Sequence, residues 1–225
     1  MTTNTMHIEL TFINDILGTA PSNEEVYTDY IASNAPDAST LGEEIAAVGV
    51  DEVVEKGKTV FPKDADGTPI FWTYQIKGFF KSACKAMSAV KGSVSSELTA
   101  YKKYIDTSMF VYPDPDDKAN RKIRINTTEP ITDLQRPLRA STMQGERVAL
   151  ANSECIKAGA TCRFDILTFS AGKKSKLDDE KQKEMIREWL DYGQFNGLGQ
   201  WRNAGFGSFV YTEYDDDGNV IGGNH

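Results

Sequence analysis

The chain has 225 residues, 40% hydrophobic and 10% aromatic, which is enough for one domain with a full apolar core. Its net charge is −8, its three cysteines (Cys84, Cys155, Cys162) lack metal-ligand spacing, and no apolar run reaches the roughly 18 residues that span a bilayer. The residues Met1-Thr2-Thr3-Asn4-Thr5 hold no basic cluster and no apolar stretch, so no signal peptide is expected and a reduced cytoplasmic protein is the simple reading.

His7-Ile8-Glu9-Leu10-Thr11-Phe12-Ile13 alternates polar and apolar residues, the period of a half-buried strand, and Gly18 and Pro21 break it. Residues 19–58 read as an acidic insertion, with a turn at Asn34-Ala35-Pro36-Asp37 and two short helices around Glu24–Ala32 and Leu41–Glu55. Asp66-Gly67-Thr68-Pro69 predicts a turn and Ile70-Phe71-Trp72 an apolar lead-in. Ile76, Phe79, Phe80, Ala83, Cys84 and Met87 then form one helical stripe, while Lys77, Lys81 and Lys85 share another face. A second helix is expected over Ser95–Tyr104.

Met109-Phe110-Val111-Tyr112 and Lys122-Ile123-Arg124-Ile125-Asn126 read as two strands that pair as a projecting hairpin around a polar loop. A polar stretch with Arg136, Arg139 and Arg147 follows, then a strand over 162–169 and a basic loop at 170–177. Asp178 suits the N-cap of a helix running to Asp191, with Asp179 and Glu180 in its first turn. Ser208–Tyr214 is the last strand, and 215–225 reads as a turn and a flexible tail. The order is strand, insertion, helix, hairpin, strand, helix, strand. It predicts one α+β domain over 1–225 with a ferredoxin-like (RRM-like) βαββαβ core.

Charge is segregated along this order. Residues 1–55 hold eleven acidic and no basic residues, 56–176 hold 21 basic and 12 acidic, and 177–225 hold 4 basic and 10 acidic. The middle segment offers a cationic face to nucleic acid. The acidic ends equally fit assembly, an acidic part of one copy meeting the basic face of the next.

Catalytic constellations are absent from the sequence as read. His7 and His225 lie at the chain ends and leave no base for a Ser-His-Asp or Cys-His arrangement. Asp114, Asp116 and Asp117 lack the glycine and spacing of a calcium loop. No cofactor or metal is expected, and the residues give no positive case for an enzyme, with RNA cleavage left as the minority alternative.

The most informative motif is Gly197-Leu198-Gly199, five residues, then Gly205-Phe206-Gly207. Glycines permit positive φ and close backbone approach, and exposed amides in such a turn form an anion-facing concavity. Trp201 and Arg202 add a stacking surface and a charge, the combination that single-stranded nucleic acid uses. The turn follows a helix and precedes a strand, which is the wrong order for a dinucleotide fingerprint.

This motif resembles the G-Φ-G-x5-G-Φ-G turn of the RAMP superfamily, the ferredoxin-like backbone subunits of CRISPR effector complexes. Ile76-Lys77-Gly78-Phe79-Phe80-Lys81, after Gly67-Thr68-Pro69-Ile70, is similar to that family's entrance to its first helix, with Trp72-Thr73-Tyr74-Gln75 where Pro-Gly-Ser-Ser is usual. The resemblance implies a non-catalytic subunit of an antiviral-defence particle that holds single-stranded RNA by its backbone and stacks on copies of itself. It implies RNA contacts at Lys77, Gly78, Lys81, Lys85, Arg136, Arg139, Trp201, Arg202, Gly205, Phe206 and Gly207. Some family members cleave RNA with an aspartate after the first strand. Here Asn14-Asp15-Ile16-Leu17-Gly18 does not match that position, and Asp15 reads as a turn residue. A diverged phage or mobile-element relative that uses the fold for protein–protein interaction without RNA is a second reading left open, and an RNA-cleaving enzyme dependent on a metal and on Asp15 is a third.

Overall fold

The structure is a computed structural model that describes residues 3–22, 58–114, 116–142, 145–170 and 177–224, with the backbone alone described over 138–142 and 145–150. The two helices expected in the acidic insertion and the basic loop expected at 170–177 fall largely outside the described residues.

Strand β1 (Thr3–Phe12) buries Met6, Ile8, Leu10 and Phe12 on one face, as its alternation predicts. It pairs antiparallel with β10 (Thr161–Phe169) on one side and with β11 (Phe209–Tyr214) on the other. β6 (Met109–Tyr112) and β12 (Val220–Gly223) complete a five-stranded antiparallel sheet in the order β12-β11-β1-β10-β6.

Helices α1 (Thr73–Met87) and α3 (Asp179–Asp191) cover one face of this sheet. Phe79 of α1 meets Phe209 at 5.1 Å between ring centres, and Phe80 meets Trp189 of α3 at 5.6 Å. Trp189 is fully buried and donates its indole N–H to Ser95 Oγ at 2.9 Å. Truncating such an aromatic costs about 3–5 kcal/mol. Asp178 caps α3 by accepting from the Lys181 N–H at 2.9 Å. Arg187 of α3 grips the buried Glu213 of β11 through two bonds of 2.7 and 2.9 Å.

A second sheet, β2 (Ile16–Leu17), β9 (Gly145–Ile156), β4 (Thr59–Val60) and β3 (Ala20–Pro21), extends from the end of β1. β8 (Thr132–Thr142) pairs with β9 from Thr132↔Cys155 to Thr142↔Gly145, a long two-stranded hairpin where the sequence reads only as a polar stretch.

Three expectations need correction. Met109–Tyr112 and Lys122–Asn126 do not pair as a hairpin: β6 joins β10 in the main sheet, while β7 (Lys122–Arg124) pairs with β5 (Ile70–Trp72). Met109 and Val111 of β6 and Ile123 of β7 are all buried in one core, Ile123 opposite Phe71 in the β5–β7 pair. Each strand pairs with a partner distant in sequence. The second helix is displaced, a single 3-10 turn at Val94–Glu97 preceding α2 (Tyr101–Thr107). The expected tail at 215–225 contains β12, anchored where Asn224 exchanges hydrogen bonds with the Tyr211 backbone.

Candidate nucleic-acid interface

The glycine turn is built by backbone packing. A Cβ at Gly197 would overlap the Gly207 carbonyl, and one at Gly207 would overlap the Leu198 carbonyl. The Leu198 N–H donates to Gly207 O at 3.0 Å, and the Gly207 N–H donates to Asp15 O at 2.8 Å. The two G-Φ-G arms therefore lock against each other and onto the loop after β1. Gly205 differs: it has φ of +89° and open space around a Cβ, so conformation alone selects it.

Between the arms, Trp201 adopts φ 56° and ψ 34° and is the non-glycine residue with positive φ among the described residues. Left-handed backbone costs a non-glycine residue about 1 kcal/mol, and such strain concentrates at functional positions. The result is an indole 41% exposed and stacked on Phe206, with ring centres 5.3 Å apart and planes 17° apart.

Arg136 of β8 holds this indole from below, its guanidinium 4.9 Å from the Trp201 ring centre. Arg136 is only 7% exposed. Its Nη1 donates to Ser153 Oγ at 3.0 Å and its Nη2 to Gln200 Oε1 at 3.2 Å, while Nε has no partner. Thr59 Oγ1 lies 2.7 Å from the same Ser153 hydroxyl. Burial lowers the Arg136 pKa, and no carboxylate among the described residues counters it. An arginine stays charged under such shifts, so the indole rests on a cation with spare electrostatic capacity.

The loop after β1 forms the other wall. Burial disfavours the Asp15 charge, but Lys157 Nζ at 2.9 Å and the Ala158 N–H at 3.0 Å outweigh it and hold the carboxyl below its ordinary value. Asp15 is a braced anion. No group of three or more His, Cys, Asp or Glu side chains is placed to hold a metal among the described residues.

The sequence-identified residues separate into two groups. Arg136, Trp201, Arg202, Gly205, Phe206 and Gly207 gather at the glycine turn, Arg202 within the short 3-10 turn Arg202–Ala204. Lys77, Gly78, Lys81 and Lys85 lie along α1. Lys77 donates to Asp106 O at 3.2 Å and sits 5.7 Å from the Phe110 ring centre, and burial depresses its pKa. Lys81 pairs with Asp106 at 2.6 Å, and Lys85 is exposed. Gly78 is exposed on α1, with open space where a Cβ would stand. Arg139 lies opposite Val148 in the β8–β9 hairpin, its side chain outside the described residues.

Sequence reasoning missed Gln200, Ser153 and Thr59, which orient Arg136; no periodicity marks them. It also set His7 aside as a terminal residue. His7 sits in mid-sheet, Nδ1 2.8 Å from Asp165 and Nε2 3.0 Å from Asp216. Its place at an odd position of the β1 alternation is the signal that puts it on the face away from the helices.

Compared with known protein families and with curated proteins, the chain matches no family model and no curated sequence.

Proposed function

We propose that the chain is a non-catalytic, single-stranded RNA-binding and assembly subunit of a CRISPR-effector-like ribonucleoprotein, a RAMP-type protein acting in the cytoplasm. The observation that carries this reading is the strained, half-exposed Trp201, stacked on Phe206 and seated on the buried Arg136 cation. Aromatic platforms beside positive charge bind single strands without sequence preference, each stacked base contributing about 1–3 kcal/mol.

The core supports the reading through its connectivity. β1, α1 and β6, then β10, α3 and β11, form two βαβ halves in which β1 and β10 lie adjacent and β11 and β6 flank them. That order fits the split βαββαβ, ferredoxin-like arrangement, to which β12 and the second sheet are additions. The long β8–β9 hairpin, like them, lies outside that six-element core.

A second reading has its own support. Asp106 engages both Lys77 and Lys81, and the net charge is −8, which fits a relative that uses the same surface for protein–protein contacts. Binding of a labelled single-stranded RNA at increasing salt separates the two. Affinity that falls steeply with salt, and falls further in Lys77→Glu and Arg202→Glu, supports RNA binding. Equal behaviour of all three proteins removes it.

A further inference from the structure

Beside the Trp201–Phe206 platform lies a cavity of about 320 Å³ between the loop after β1 and the glycine turn. Phe206 belongs to both features: its ring stacks on Trp201, and the residue is part of the cavity lining. Ile13, 46% exposed, supplies a second apolar wall, and Gly205 leaves open space where another residue would place a side chain. The polar lining comes from Asn14 and Asp15.

The chemistry of that lining is directional. Asp15 Oδ2 is engaged by Lys157 and Cys155, while Oδ1 accepts from the Ala158 N–H. A carboxylate oxygen has two lone pairs, so Oδ1 retains capacity for one more donor. An ionised carboxylate accepts and never donates. The Asn14 amide beside it offers one acceptor and two donors. Apolar walls with a few convergent polar groups are the usual composition of a small-ligand pocket.

We propose that this cavity receives one nucleobase of the bound strand and selects a base bearing an exocyclic amine, read by Asp15 and Asn14. Adenine, cytosine and guanine each present an amine N–H to a carboxylate, and uracil presents a carbonyl in its place. The neighbouring base would stack on Trp201, so platform and cavity would take successive nucleotides. This assignment rests on the RNA-binding reading above and adds selectivity to it.

The test measures affinities of labelled oligo(A), oligo(C) and oligo(U) of equal length for the full chain and for Asn14→Ala and Asp15→Asn. Native circular dichroism and melting of each variant are recorded alongside. The expected result is roughly tenfold weaker oligo(U) binding by the parent chain. Asn14→Ala should shrink that ratio, and Asp15→Asn, whose amide also donates, should shift it toward uracil. Equal affinities for the three oligomers, or a ratio unchanged in a folded Asn14→Ala, overturns the proposal while leaving RNA binding standing. Failure of all three oligomers to bind overturns the RNA-binding reading itself, and this assignment with it.

Discussion

The guanidinium of Arg136 lies 4.9 Å from the ring centre of Trp201, joining the β8–β9 hairpin to the glycine turn. Trp201 takes a left-handed backbone and Arg136 is buried with an unpartnered Nε. Each is unfavourable in isolation, and together they present one indole to solvent above a fixed cation.

Replacing Arg136 should therefore separate stability from binding. Arg136→Met keeps the aliphatic stem and removes a charge that is expensive to bury. Its unfolding free energy should stay within about 1 kcal/mol of the parent chain, because relief of desolvation offsets the two lost hydrogen bonds. RNA affinity should fall about tenfold from the loss of the cation under the stacking surface. Urea melts and anisotropy titrations read the two quantities separately.

The glycines of the turn should rank by mechanism. Gly197→Ala and Gly207→Ala drive a methyl group into a backbone carbonyl and should cost about 3 kcal/mol or more, or prevent folding. Gly205→Ala meets no atom and pays only for its positive φ, about 1 kcal/mol. Comparable costs at all three positions would contradict the crossed-arm packing.

Gly78 offers a test on α1. Nothing in the fold requires glycine at this exposed helical position, and alanine there should stabilise by about 0.5–1 kcal/mol. If an RNA backbone passes close to this turn of α1, Gly78→Ala weakens RNA binding even as the melting temperature rises. A rise in both would place the strand elsewhere.

His7 predicts a pH dependence. Burial disfavours its charged form, but hydrogen bonds to Asp165 and Asp216 prevail and raise its pKa above 6.5. A raised histidine contributes stability that is fully present below about pH 6.5, its unfolded value, and is lost as pH rises through the folded value. His7→Gln should thus lower the melting temperature at pH 6 and have a smaller effect at pH 9. Since Asp216 is 96% exposed, most of the effect should vanish in Asp165→Asn and little in Asp216→Asn.

Much of the core was legible because burial writes a period into sequence. Met6, Ile8, Leu10 and Phe12 repeat every second residue, and Ile76, Phe79, Phe80, Ala83 and Cys84 follow a helical stripe. The β8–β9 hairpin was hidden because its stretch is rich in polar residues and its order comes from the backbone ladder. The partners of β6 and β7 were misassigned because neighbouring strands often pair, whereas here β6 joins β10 and β7 joins β5, both long-range pairings that local alternation does not mark. At the site, the glycines and Trp201 announced the turn. The burial of Arg136 and its contact with Trp201 depend on a long-range packing that no local pattern encodes.

The most direct test of RNA binding at the glycine turn is a salt-dependent titration of labelled single-stranded RNA with the parent chain and Trp201→Ala. Removing one stacking surface should weaken binding between about 5-fold and 150-fold at fixed salt, while the dependence on salt stays nearly parallel. Indistinguishable affinities for two folded proteins would contradict the account.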